Sequence, residues 1–123
     1  VLVCLDCTLA AAEQAKEEGC NLIVSHHPFI FRPVRSLTAD TAKGRTAEFL
    51  FANGIAVYSA HTNLDSADEG LSRTLAEIFG GGNAELCGCG CYADVAEETA
   101  AELARKVAGA LDDPTVKVSC PDA

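Results

Sequence analysis

Short apolar runs alternate along this chain with longer stretches rich in Ala, Glu and Leu, and the pattern predicts strands alternating with helices. Residues 1–5 read as a strand buried on both faces. Thr8 caps a helix over 9–18, which Gly19 ends. A second strand spans 21–24 and stops at Ser25-His26-His27-Pro28, since proline cannot continue a central ladder. Residues 29–38, with Pro33 and two arginines, read as an irregular loop. A helix over 41–52 ends at Asn53-Gly54, and a third strand over 55–59 leads into the loop Ala60-His61-Thr62-Asn63-Leu64-Asp65. Ser66 caps a helix to 79, with Asp68 and Glu69 in its first turn, and Gly80-Gly81-Gly82 breaks it. Residues 86–92, dense in Cys and Gly, fit an edge strand or a loop. A helix over 96–111 and a strand over 115–119 complete the pattern.

This succession implies an α/β fold with a largely parallel sheet flanked by helices, forming one partial domain over residues 1–123. The stretch 80–90 is where a hinge would fall. In such folds ligands gather beyond the carboxyl ends of the strands. All three histidines of the chain lie there, after two consecutive strands. Imidazole and carboxylate together suit zinc, iron, nickel or manganese, so His26, His27 and Asp65 are candidate metal ligands. Adjacent residues of a strand point in opposite directions, which favours two ions, one for each histidine. Ser25, His61, Thr62 and Asn63 can orient those ligands. The plainer alternative has His26 bonding turn carbonyls, His27 exposed before Pro28, and Asp65 capping the next helix.

Composition narrows the function classes. With 9 basic against 18 acidic residues the net charge is −9, which argues against nucleic-acid binding. No apolar run approaches the roughly 18 residues that span a bilayer. Seven cysteines are an odd number set among helical segments, which fits a reducing, cytoplasmic compartment better than a disulfide scaffold. Cys4, Cys7 and Cys20 read as small packing residues. Cys87, Cys89 and Cys91 would line one face of a strand and could bind a soft metal or form a redox pair; packing residues in a glycine-rich loop are the alternative. Arg32, Arg35, Lys43 and Arg45 are either contacts for an anionic substrate or solvated surface charges. The chain has no methionine and opens on Val1, which reads as a cut start.

The motifs Ser25-His26-His27-Pro28 with Phe31, and Ser59-Ala60-His61-Thr62-Asn63-Leu64-Asp65 after a strand, resemble the Ngg-interacting-factor-three-like family. Its members are also labelled GTP cyclohydrolase I type 2 homologues or dinuclear metal centre hexameric proteins. Leu5-Asp6, Ala15 with Gly19, and Asn53-Gly54-Ile55 agree as well, so the resemblance covers nearly residues 1–80 and is loose beyond. It implies that His26 and His27 each bind one of two divalent ions, that Asp65 binds one of them, and that His61 lies close by. A further His and Glu complete the family's centre, and this chain has no residue to serve as that distal His.

The expected reaction class is hydrolysis by a metal-activated water, with a GTP cyclohydrolase-type nucleotide substrate suggested by the family label. His61 is the candidate catalytic residue, as proton donor or as an orienting group. The competing reading is a non-enzymatic metal-binding or regulatory protein. A homohexamer is implied by the resemblance, and a bare α/β interaction module is the third possibility.

Overall fold

The computed structural model describes residues 1–96 and 98–119. They gather into two compact units, Val1–His61 and Thr62–Ala123. The division falls between His61 and Thr62 and not within residues 80–90.

The first unit follows the predicted alternation: β1 (Leu2–Cys4), α1 (Leu9–Glu17), β2 (Leu22–Ser25), α2 (Ala42–Ala52) and β3 (Ala56–Ser59). The strands form a parallel sheet in the order β1-β2-β3. Both helices start as the sequence suggests. Thr8 Oγ1 accepts the Ala11 N–H at 3.2 Å, and Thr41 Oγ1 accepts the Gly44 N–H at 3.0 Å. Gly19 and Gly54 follow their ends with φ of +66° and +63°, backbone that a Cβ resists.

The sheet is not buried on both faces, as residues 1–5 had suggested. Leu2, Ile23 and Val57 share one row and pack with Ala12, Ala15, Leu50 and Ile55 into the core. Val3, Val24 and Tyr58 share the next row, where Val3 is 78% and Tyr58 55% exposed. Handedness accounts for this. Successive right-handed crossovers that extend a sheet in one direction place their helices on the same side, so the apolar run of β1 meets helices on alternate residues only.

The second unit contains α3 (Thr62–Asp65), α4 (Leu71–Ile78), β4 (Gly82–Cys87), β5 (Gly90–Asp94) and α5 (Ala100–Leu111). The helix expected to be capped by Ser66 starts four residues later, after Gly70. A Cβ at buried Gly70 would stand 1.9 Å from the Leu64 carbonyl oxygen, so the chain turns tightly there before α4 can begin. Asp68 and Glu69 consequently precede α4 instead of occupying its first turn. The Cys/Gly stretch is an antiparallel hairpin with Gly88-Cys89 as its two-residue turn, and Gly88 has φ +60°. The strand expected over 115–119 is absent, because a strand needs a neighbour and that segment pairs with none among the described residues. Helix α5 begins at Ala100, four residues later than expected, at a capping box in which Thr99 and Glu102 bond each other's backbone.

Two pairs of measurements test these local explanations. A Cβ at Gly44 would meet the Thr38 carbonyl oxygen at 1.9 Å, whereas one at exposed Gly109 would meet nothing within 4 Å. Urea unfolding should therefore show Gly44→Ala destabilising by about 1–3 kcal/mol despite the better helix former, and Gly109→Ala stabilising by roughly 0.5–1 kcal/mol. Hydrogen bonds from the Thr99 backbone and hydroxyl hold the Glu102 carboxyl below its ordinary range. A depressed carboxylate stabilises the fold above its unfolded value and loses that contribution as pH falls through the folded one. The stability gap between the parent and Glu102→Gln should be present at about pH 7 and close on acidification below about 4.3, the usual Glu value.

Candidate functional site

The parallel ladder continues past the ends of its strands. The His26 N–H donates to the Cys4 carbonyl at 3.1 Å, the His27 N–H to Leu5 at 2.9 Å, and the Ala60 N–H to Ser25 at 2.8 Å. Cys4, Ser25 and Ser59 share the last row of the sheet, and just beyond it the Asp6 carboxylate meets His27 while the His27 and His61 rings lie 6.2 Å apart. Beneath them lies Ser25, fully buried, whose hydroxyl donates to the His27 carbonyl at 2.8 Å. Its only proton is thereby used. The 3.1 Å contact with Ser59 is then a bond donated by Ser59, whose oxygen also accepts the Phe29 N–H at 3.4 Å. These hydroxyls fasten the bend at 25–29 to the neighbouring strand.

Three imidazoles gather above this base. Ring centroids are 5.3 Å apart for His26 and His27, 5.3 Å for His26 and His61, 6.2 Å for His27 and His61, and 6.2 Å for Phe31 and His61, the last two rings meeting at 70°. Strand β2 ends at Ser25 and the chain bends, so the His26 and His27 rings come within 5.3 Å of each other with their planes tilted by 49°. His26 Nδ1 is 2.8 Å from the Ala60 carbonyl oxygen. A carbonyl only accepts, so Nδ1 carries the proton and Nε2 of the neutral ring keeps its lone pair. His27 Nδ1 is held in the same way by Asp6 Oδ1 at 2.9 Å.

Asp65 belongs to the other unit, where it is the half-buried last residue of α3; Thr62 and Asn63 open that helix. The structure thus brings together the three histidines of the first unit. Among the described residues, no group of three or more His, Cys, Asp or Glu side chains is arranged to hold a metal ion. Asp6 is the member of the cluster that the sequence pattern did not single out. Its signal was its place just past the first strand, which becomes meaningful once β1 is known to neighbour β2.

The other candidates divide. Lys43 Nζ donates to the Phe29 carbonyl and lies 5.2 Å from the centre of the Phe29 ring, while Arg45 donates to the Ala39 carbonyl at 3.1 Å. Both cations hold down the loop after the histidines, a role neither expectation covered. Arg32 and Arg35 are exposed. Burial, and then the charge of Asp6, push the Cys4 thiol up; burial and then Cys4 do the same at Cys7 against the opposing effect of Lys43. Such thiols stay protonated and pack as small apolar groups. Cys87 ends β4, Cys89 sits in the turn and Cys91 lies in β5, so the three do not line one strand. Ser72 fixes the turn by donating to the Cys89 carbonyl at 2.9 Å. No helix among the described residues is long and apolar enough to cross a membrane.

Comparison with known proteins gives three findings. The family model for Duf34/NIF3 (NGG1p interacting factor 3) matches residues 1–122. A GTP cyclohydrolase 1 type 2 homolog of Clostridium perfringens is 49% identical over 80 residues, which cover 65% of this chain and 30% of that protein. The chain therefore spans under a third of the length of that relative. Among solved structures, a Bacillus cereus protein related to NIF3 superimposes with a TM-score of 0.64 at 41% identity, over 69% of this chain and 24% of the other.

The serine base supplies a test. Ser25→Ala removes a buried donor and strands the His27 carbonyl and the Ser59 hydroxyl, so it should cost about 1–3 kcal/mol in urea unfolding. Ser36→Ala, which deletes an exposed bond to Thr38, should change stability far less.

Proposed function

The chain belongs to the Duf34/NIF3 (NGG1p interacting factor 3) family, and from that premise we propose that it carries one side of the dinuclear metal centre of a hydrolase. A nucleotide substrate, in a GTP cyclohydrolase-type reaction, is suggested by the names of its relatives. The observation that supports this reading is the engagement of both Nδ1 atoms, His26 by a carbonyl and His27 by a carboxylate. Metal-binding imidazoles are usually held at their outer nitrogen in this manner, with the other turned to the ion.

In this reading His26 and His27 each serve one divalent ion, and Asp65 serves one of the two. Zinc, iron, nickel or manganese suits such donors. Bound there, the ions supply a water of lowered pKa and polarise the group under attack. His61, with its ring 5.3 Å from that of His26, holds or passes a proton beside them.

Three protein ligands are few for two ions, since about four donors per ion are usual, so binding to this chain should be weak. A second reading is a non-enzymatic metal-binding or regulatory protein. A homohexamer in the cytoplasm is the assembly and location that go with either.

Calorimetric titration of the chain with zinc and with manganese tests the centre. Weak binding that disappears in the His26→Ala/His27→Ala double variant is the expected result; binding that survives in the double variant, or none in the parent, overturns it. GTP hydrolysis that is lost in His61→Ala with metal retained supports the hydrolase, whereas metal without turnover supports the second reading.

A further inference from the structure

The geometry points to Asp6 as the positioning residue of His27, fixing which ring nitrogen is offered outward and making His27 the stronger of the two adjacent imidazole donors. The inference rests on the metal-centre reading for its consequence, although the orientation of the ring can be measured without any metal.

Asp6 is placed by the sheet. Its neighbour Leu5 accepts the His27 N–H at 2.9 Å, just past the paired residues Cys4 and Ser25, which brings the two segments side by side. The carboxylate is therefore delivered by backbone pairing to the one imidazole it faces, with Oδ1 at 2.9 Å from Nδ1. Which nitrogen of a neutral imidazole carries the proton is decided by the bond the other makes. Here an acceptor-only group sits at Nδ1, so the proton stays there and Nε2 is left bare.

The two histidines differ in the strength of this hold. His26 is bonded to a neutral carbonyl, that of Ala60, and His27 to a carboxylate. A charge-assisted bond is roughly twice as strong as a neutral one, and it also enriches the ring as a donor. The pair is poorly explained as a stabilising ion pair: side chains 48% and 58% exposed are screened by water and add little to the fold. Orientation is the effect left that matches the geometry.

The test uses the chain and two variants, Asp6→Ala and Asp6→Asn, whose folding is checked by circular dichroism; both changes are at an exposed position. Long-range proton–nitrogen NMR of the metal-free chain, at a pH where the rings are neutral, reads the tautomer of each histidine. His27 should carry its proton on Nδ1 in the parent, move it to Nε2 in Asp6→Ala, and keep it on Nδ1 in Asp6→Asn, whose side-chain oxygen can accept the same bond. His26 should not change. Zinc affinity should fall about 10–100-fold in Asp6→Ala and recover in part in Asp6→Asn. A His27 tautomer that is the same in the parent and in Asp6→Ala overturns the inference. A tautomer that switches as expected in a chain whose parent binds no zinc supports Asp6 as the orienting group and overturns the metal-centre reading instead.

Discussion

Everything distinctive about the first unit depends on the parallel pairing of β2 with a strand on each side. Ile23 on its inner face is fully buried against both helices, and the ladder through Leu2, Ile23 and Val57 fixes how far each strand is advanced relative to the next. Parallel bonds are evenly spaced and slanted, so an offset set within the sheet is inherited by the residues just beyond it. Three backbone bonds carry that offset past the strand ends. The side chains that follow are therefore located by the same interactions that hold the core.

The histidine cluster is accordingly supported from below. Ser25 and Ser59 bridge the strands with buried hydroxyls, Asp6 and Ala60 engage the outer ring nitrogens, and Lys43 and Arg45 pin the loop that leaves the cluster. Each contact comes from a different segment of the chain. A site assembled from several rigid segments keeps its geometry better than one built within a single loop.

What could be read from the sequence was mostly local. Thr8 as a helix cap, Gly19 and Gly54 as stops, and three histidines beyond two strand ends all follow from residue type and immediate neighbours. Non-local features were less legible. The role of Asp6 requires knowing that β1 lies beside β2 and at what offset, and Gly70 matters only because the Leu64 carbonyl approaches it. In the hairpin the signal was present: Gly88 at the first turn position is a recognised hairpin choice, but the cysteines around it drew attention to chemistry over backbone.

The meeting of Asp6, His27 and His61 just past the row of Cys4, Ser25 and Ser59 also determines where the chain can change length. Between Cys4 and Asp6, Ser25 and His27, and Ser59 and His61 there are the same number of residues, and an insertion or deletion in any one of these short spans would carry one side chain out of line with the other two. The connecting helices and the 29–38 loop carry no such constraint, since added residues there leave the strand offsets intact. Length variation tolerated in this unit should thus be confined to the segments between strands, with three brief windows at the strand ends held constant for reasons of alignment across the sheet.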